Sequence, residues 1–166
     1  MKQLIIMRHA KSDWGNENLP DIDRPLNARG VRDAARMGKE LKLRGLVPDL
    51  ILCSPALRTR QTAEGLTANA DGLVGVPIRI IENLYAASAR TILLAVQSAP
   101  NSCGRLMVLG HNPGVGELTE ALTERWLPEG MKTATVAVIG TEGSEWVCVE
   151  SGTLSAVIYP RDIGNE

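Results

Sequence analysis

Leu4-Ile5-Ile6-Met7-Arg8-His9-Ala10-Lys11-Ser12-Asp13-Trp14 is the stretch on which the reading of this chain turns. An unbroken apolar run, Leu4 to Met7, ends abruptly in an arginine and a histidine. A short run this close to a terminus is most simply a buried strand. Its polar successors then emerge at the carboxyl end, where open α/β sheets place their ligands. Any other strand that ends in reactive side chains at the same edge shares that site.

The 166 residues suit one domain with a sizeable core. A hydrophobic content of 44% and a charged content of 22% are those of an ordinary soluble globular protein. The formal net charge of −1 argues against a general nucleic-acid or membrane-surface binder, so an anion site has to be a local basic cluster. The first apolar run is too short for a secretory signal or a membrane span, and no run elsewhere reaches membrane length. Cys53, Cys103 and Cys148 are odd in number, well separated and set in apolar strand-like segments. Buried, reduced thiols in a cytoplasmic protein are the expectation, and no pair has metal-ligand spacing.

Ser12 to Pro25 is polar and carries Gly15, Pro20 and Pro25, so it is expected to be a loop. Asn27 is placed to cap a helix through Arg44, with Leu26, Val31, Ala34, Ala35, Met37, Gly38 and Leu41 as its apolar stripe and Gly45 past its end. Arg32, Arg36, Lys39, Glu40 and Lys42 then form a solvated face. Leu50 to Cys53 reads as a second strand, and Pro55 suits the first turn of a helix running to about Ala70. Ile78 to Ile81 reads as a strand, and Ser88 caps a helix through Gln97 with Ile92, Leu93, Leu94 and Val96 inward. Leu106 to Leu109 is a further strand, followed by a helix over Val115 to Trp126. The tail changes character: Thr135 to Ile139, Trp146 to Val149 and Thr153 to Tyr159 are β-branched runs parted by glycines, which suggests an antiparallel meander. The sum is a single α/β domain over residues 1–166, with a mainly parallel central sheet, helices on both faces and a β-rich C-terminal tail.

Both histidines of the chain lie just past a predicted strand, in Arg8-His9 and in Gly110-His111-Asn112. Arg58 follows the end of another. If these strands are parallel neighbours, Arg8, His9, Arg58 and His111 reach one crevice, where helices starting near Pro55 and Pro113 also aim free N–H groups. Arginine forks match phosphate oxygens, and a neutral imidazole is a competent nucleophile toward phosphorus. Such a pocket suits phosphoryl transfer, stabilised by positioning and electrostatics. It needs no metal or other cofactor, and two histidines without an acidic cluster would make a poor metal site.

At these residues the sequence resembles the histidine phosphatase superfamily, with its phosphoglycerate-mutase-like fold. The opening Arg8-His9-Ala10 looks like the family's Arg-His-Gly signature, with alanine replacing glycine. Ser54-Pro55-Ala56-Leu57-Arg58-Thr59-Arg60-Gln61-Thr62 is similar to its second motif, and Gly110-His111-Asn112-Pro113 to its third. The resemblance implies that His9 takes the phosphoryl group as a phosphohistidine intermediate, which water then hydrolyses. Arg8, Arg58 and His111 would hold the phosphoryl oxygens, with Arg24, Asn112 and Ser12 as further substrate-binding positions. For Arg24, a loop salt bridge with Asp21 or Asp23 is an equal alternative.

Ala10-Lys11-Ser12-Asp13-Trp14, Asp23-Arg24-Pro25-Leu26, Leu84-Tyr85-Ala86-Ala87-Ser88 and the short length look like the bacterial phosphohistidine phosphatase branch. That branch implies a phosphorylated protein as partner and an open pocket without a lid. A general acid would serve an alkoxide leaving group. Glu82 is the nearest candidate, though it can equally begin a loop or cap a turn. The alternatives are a phosphatase for small phosphate esters with Glu82 as acid, and a non-catalytic phosphate-binding module. Trp14 and Trp126 are expected to pack into the core, with contact to a partner as the alternative.

Overall fold

In the computed structural model, which describes residues 1–68 and 72–164, Leu4 and Ile6 face one side of a sheet and Ile5 and Met7 the other. All four are fully buried. The run is therefore continuous rather than alternating because β1 (Lys2–Arg8) lies inside a sheet covered on both faces. The same division recurs in β2 (Leu50–Cys53) and, beyond β3 (Ile78–Ile80), in β4 (Arg105–Gly110), where Leu106 and Val108 face one core and Met107 and Leu109 the other. With β5 (Val136–Thr141) and β6 (Gly152–Ile158) the strand order is β3-β2-β4-β1-β5-β6. β1 to β4 are parallel, and β5 runs against both β1 and β6.

The helices α1 (Ala28–Leu43) and α2 (Leu57–Thr67) cover one face, and α3 (Ala89–Gln97) and α4 (Gly114–Thr123) the other. The result is a three-layer α/β domain, as expected from the sequence. Asn27 caps α1 by accepting from the Gly30 N–H at 2.8 Å, Ser88 caps α3 through the Thr91 N–H, and Gly45 ends α1 with a φ of 69°. The N-terminal end of α1 presses against the segment after β1: a Cβ on Gly30 would lie 2.1 Å from the Lys11 carbonyl oxygen.

Several local expectations fail for identifiable reasons. Inward rotation of Gly30 turns the neighbouring Val31 to solvent, so the buried stripe of α1 runs through Asp33, Ala34, Met37, Gly38 and Leu41. Arg36 leaves the solvated face to bond the Ile163 carbonyl at 2.7 Å. α2 begins at Leu57, two residues past Pro55, and the expected end near Ala70 lies outside the described residues. β3 stops at Ile80 because Ile81 already enters a 3-10 turn, Glu82–Leu84. In α3 Leu94 is exposed, because a nine-residue helix on one sheet face can bury only the stripe around Ile92 and Val96.

Trp146 to Val149 is not a strand. Trp146–Cys148 forms a 3-10 turn that drives the indole into the core, where its N–H donates to the Cys103 carbonyl at 2.7 Å. The same turn carries Cys148 outward, so only Cys53 and Cys103 are buried thiols. α4 stops at Thr123 because Glu124 adopts a left-handed conformation, and Trp126 beyond it is exposed. Trp14 is 70% exposed and does not pack into the core either. Among the described residues no helix is long and apolar enough to cross a membrane.

Candidate active site

Because β2, β4 and β1 are adjacent and parallel, Ser54, His111 and His9 leave the sheet side by side. The ladder continues past the strands: the His9 N–H donates to the Gly110 carbonyl at 3.0 Å and the Ser54 N–H to the Leu109 carbonyl at 3.1 Å. The two imidazoles meet with ring centroids 5.2 Å apart. Ala134, held at a φ of 59°, donates its N–H to the carbonyls of both Arg8 and His9. The Ala10 N–H donates to Thr62 Oγ1 at 3.0 Å, so the backbone carrying His9 is fixed on both sides.

His9 Nδ1 lies 2.7 Å from the Ala10 carbonyl oxygen. A carbonyl only accepts, so the proton sits on Nδ1 and Nε2 keeps its lone pair. Burial, opposed by that hydrogen bond and reinforced by His111, Arg58 and Arg8, pushes the His9 imidazole down to about 3. It is therefore neutral at physiological pH, the form in which Nε2 can attack phosphorus. His111 Nδ1 accepts from Arg58 Nη2 at 3.4 Å, which leaves the proton on Nε2, 2.7 Å from Ser54 Oγ. Burial and then Arg58 lower His111 to about 4.

Arg58 is buried on the first turn of α2, and Arg8 ends β1. The Nε groups of both are buried and have no hydrogen-bond partner among the described residues. A buried N–H without an acceptor is costly. A phosphoryl group has the oxygens to satisfy such donors, and the two guanidiniums are cations at one sheet edge. Arg8 Nη1 donates to the Met131 carbonyl at 3.2 Å, and that carbonyl also receives Asn112 Nδ2 at 2.7 Å. Asn112 thus braces the loop after β4 against the one that carries Met131.

Arg24 is buried and forms the salt bridge with Asp21. Its Nη1 donates to Ser12 Oγ at 2.9 Å, its Nε to Asp21 Oδ1 at 3.1 Å, and its guanidinium stacks 3.6 Å above the Trp14 ring. Asp21 in turn accepts from Arg58 Nη2 at 3.1 Å and from the Tyr85 hydroxyl at 2.5 Å. Arg24 therefore joins the site through Asp21, and Ser12 holds Arg24. Tyr85, Arg24 and Arg58 together bring the Asp21 carboxyl down to about 2, against a smaller opposing effect of burial, so it is ionised at any ordinary pH. Glu82 is exposed at the start of its 3-10 turn, and its carboxylate makes no hydrogen bond or ion pair with the described residues. No three His, Cys, Asp or Glu side chains gather as a metal site among the described residues.

Residues 4–128 match the family model of the histidine phosphatase superfamily, branch 1. The chain belongs to that superfamily. An uncharacterised protein of Mycobacterium tuberculosis is 32% identical over 160 residues, covering 91% of this chain and 96% of that one. Among solved structures, a protein assigned as phosphohistidine phosphatase SixA from Agrobacterium tumefaciens is 29% identical with a TM-score of 0.80, covering 96% of this chain and 98% of the other. One from Nakamurella multipartita with the same assignment is 28% identical with a TM-score of 0.79, covering 96% of each chain.

Arg8, His9, Arg58 and His111, read from the sequence as one site of this histidine phosphatase superfamily chain, do come together. Sequence reasoning passed over three residues that organise them. Asp21 figured only as a salt-bridge partner for Arg24, Ser54 only as the first residue of the second motif, and Tyr85 only within a run of similarity. The spacing Asp21-Ile22-Asp23-Arg24 was a usable signal for the first, since one helical turn sets residues three apart side by side.

Proposed function

We propose that this phosphatase removes the phosphoryl group from phosphohistidine side chains of another protein, through a phosphohistidine intermediate on His9. In the first step the His9 Nε2 lone pair forms an N–P bond as the substrate's P–N bond breaks, and the departing imidazole takes a proton from water. In the second, water attacks phosphorus, the His9 N–P bond breaks and inorganic phosphate leaves. Arg8 and Arg58 hold the phosphoryl oxygens in both steps, joined by His111 once its Nε2–H passes from Ser54 to the phosphoryl group, with Arg24 at the margin.

The observation that carries this reading is a neutral His9, its Nε2 unprotonated, in a site whose carboxylate, Asp21, is bound by Arg58, Arg24 and Tyr85. Asp21 is held ionised by Tyr85, Arg24 and Arg58 and has no proton to give an alkoxide. An imidazole is a better leaving group than an alkoxide and relaxes that requirement. The likeness to proteins assigned as phosphohistidine phosphatases at 28% and 29% identity points the same way. Buried free thiols at Cys53 and Cys103 fit a reducing, cytoplasmic setting.

The test is a substrate panel of phosphohistidine protein, phosphoserine and phosphotyrosine peptides and sugar phosphates, run with wild type and His9→Ala. Turnover of phosphohistidine well above the others, abolished in His9→Ala, with acid-labile phosphate trapped on the wild-type chain, is the expected result. Preference for a sugar phosphate overturns the substrate, and turnover by His9→Ala overturns the mechanism.

A further inference from the structure

A groove of about 400 Å³ opens beside the site and is lined by Arg8, Lys11, Arg29, Lys132 and Arg161, with Tyr159 in its wall. Among the described residues no carboxylate lines it. The fold explains the convergence. Arg8 ends β1, Lys11 follows it, Arg29 opens α1, Lys132 precedes β5 and Tyr159 follows β6, so all of them lie at the sheet edge that carries His9. In a chain of net charge −1, five cations around one groove are a local feature and not a background.

The cations differ in what they already hold. Arg29 pairs with Asp33 at 3.5 Å, and Arg161 with Glu129 and Asp162. Lys11 and Lys132 are exposed and form no salt bridge among the described residues. Lys132 acts on Glu129 only through the field that helps hold that carboxylate down. Arg8 belongs to both regions, since it lines the groove and influences His9.

We infer that this groove docks the acidic segment flanking the phosphorylated residue of a protein substrate, and so selects phosphoproteins by the charge around their phosphorylation site. The inference rests on the proposed function and adds the chemistry of the partner. A small-molecule site fixes its ligand with a few buried polar groups. Here the unpaired cations are exposed lysines on flexible stems, which steer and select an acidic chain without holding one orientation. The continuity through Arg8 places such a chain next to the phosphoryl group that His9 attacks.

The experiment has two arms, with wild type and Lys11→Glu/Lys132→Glu. In the first, a fluorescent, unphosphorylated acidic peptide is titrated by anisotropy, which needs no turnover. Wild type is expected to bind at least about tenfold tighter than the double variant, with binding weakening as salt rises. Equal affinity overturns the inference. In the second, kcat/KM is compared for phosphopeptides with acidic, neutral and basic flanks, with p-nitrophenyl phosphate as a reference for the basal reaction. Preference for acidic over neutral flanks that vanishes in the double variant, when each rate is taken relative to the same enzyme's p-nitrophenyl phosphate turnover, supports docking. The same charge dependence seen only with a small bisphosphate overturns it in favour of a small-molecule subsite. Peptide binding without turnover of any phosphopeptide would keep the groove and sink the substrate reading, so the two can fail separately.

Discussion

Asp21 Oδ2 lies 3.1 Å from Arg58 Nη2 across 37 residues of sequence, and Arg58 Nη1 also donates to the Asp21 carbonyl at 2.7 Å. Asp21 opens a 3-10 turn, Asp21–Asp23, inside the segment expected to be a loop, and from there it fixes the angle of a guanidinium that stands beside His111 and offsets part of its charge. Asp21→Asn keeps the shape and removes the charge. The expected outcome is a fall in kcat of about tenfold from misplacement of Arg58, while inhibition by inorganic phosphate becomes no weaker, because the guanidinium is less neutralised. Steady-state kinetics with phosphate as competitor checks this; parallel weakening of both would mean that Asp21 acts only through folding.

Acid should destabilise this protein before it protonates most carboxylates. His9 and His111 titrate at about 3 and about 4 in the folded chain, both below the ordinary value of 6.5. As pH falls from 6.5 toward those values, the unfolded chain binds more protons than the folded one, so stability drops. Asp21 adds a loss of the same sign lower down, as pH falls from 3.8 through about 2. Urea midpoints from pH 7 to 4.5 should decline, and less steeply in His9→Asn. NMR of the His9 ring should show no titration between pH 7 and 5; a midpoint near 6.5 would refute the neutral, desolvated nucleophile.

Ser54→Ala strands the buried Nε2–H of His111, whose partner is Ser54 Oγ at 2.7 Å. Leaving such a donor unmade costs about 1–3 kcal/mol of stability. Activity should fall mainly in kcat, with the urea midpoint reporting the stability loss and Ser54→Thr restoring part of both.

Gly30→Ala tests whether the contact between α1 and the Lys11 backbone positions His9. A Cβ there would meet the Lys11 carbonyl oxygen at 2.1 Å, a backbone clash that no rotamer relieves. Destabilisation of about 1–3 kcal/mol is expected, together with loss of activity at temperatures where the fold persists by circular dichroism.

Glu82→Gln should change kcat less than about twofold for esters with good and poor leaving groups alike, since an uninvolved exposed residue is nearly neutral. A selective loss on the poor leaving group would make Glu82 the acid.

The architecture was legible because burial on both faces leaves continuous apolar runs, and Leu4–Met7, Leu50–Cys53 and Leu106–Leu109 all carry that mark. Helix caps at Asn27 and Ser88 were legible because capping is a contact between residues three apart. Trp146 was misread because its β-branched neighbours match a strand locally, while the 3-10 turn is imposed by Cys103 and Asn101, more than forty residues away. Trp14 was misread because the guanidinium on which it stacks, that of Arg24, lies further along the same connection and is brought back to it only by the fold.

The sequence by itself determined the buried strands at Leu4–Met7, Leu50–Cys53 and Leu106–Leu109 and the positions of Arg8, His9, Arg58 and His111 just past them, since residue type and strand periodicity are local properties. Only the tertiary structure decided the state of those residues. Which nitrogen of His9 is free depends on the Ala10 carbonyl, which of His111 depends on Ser54 and Arg58, and the orientation of Arg58 depends on Asp21 and, through it, on Tyr85. Hydrogen bonds and burial set the tautomer and the charge, and both follow from which distant segments the sheet brings within about 3 Å of one another.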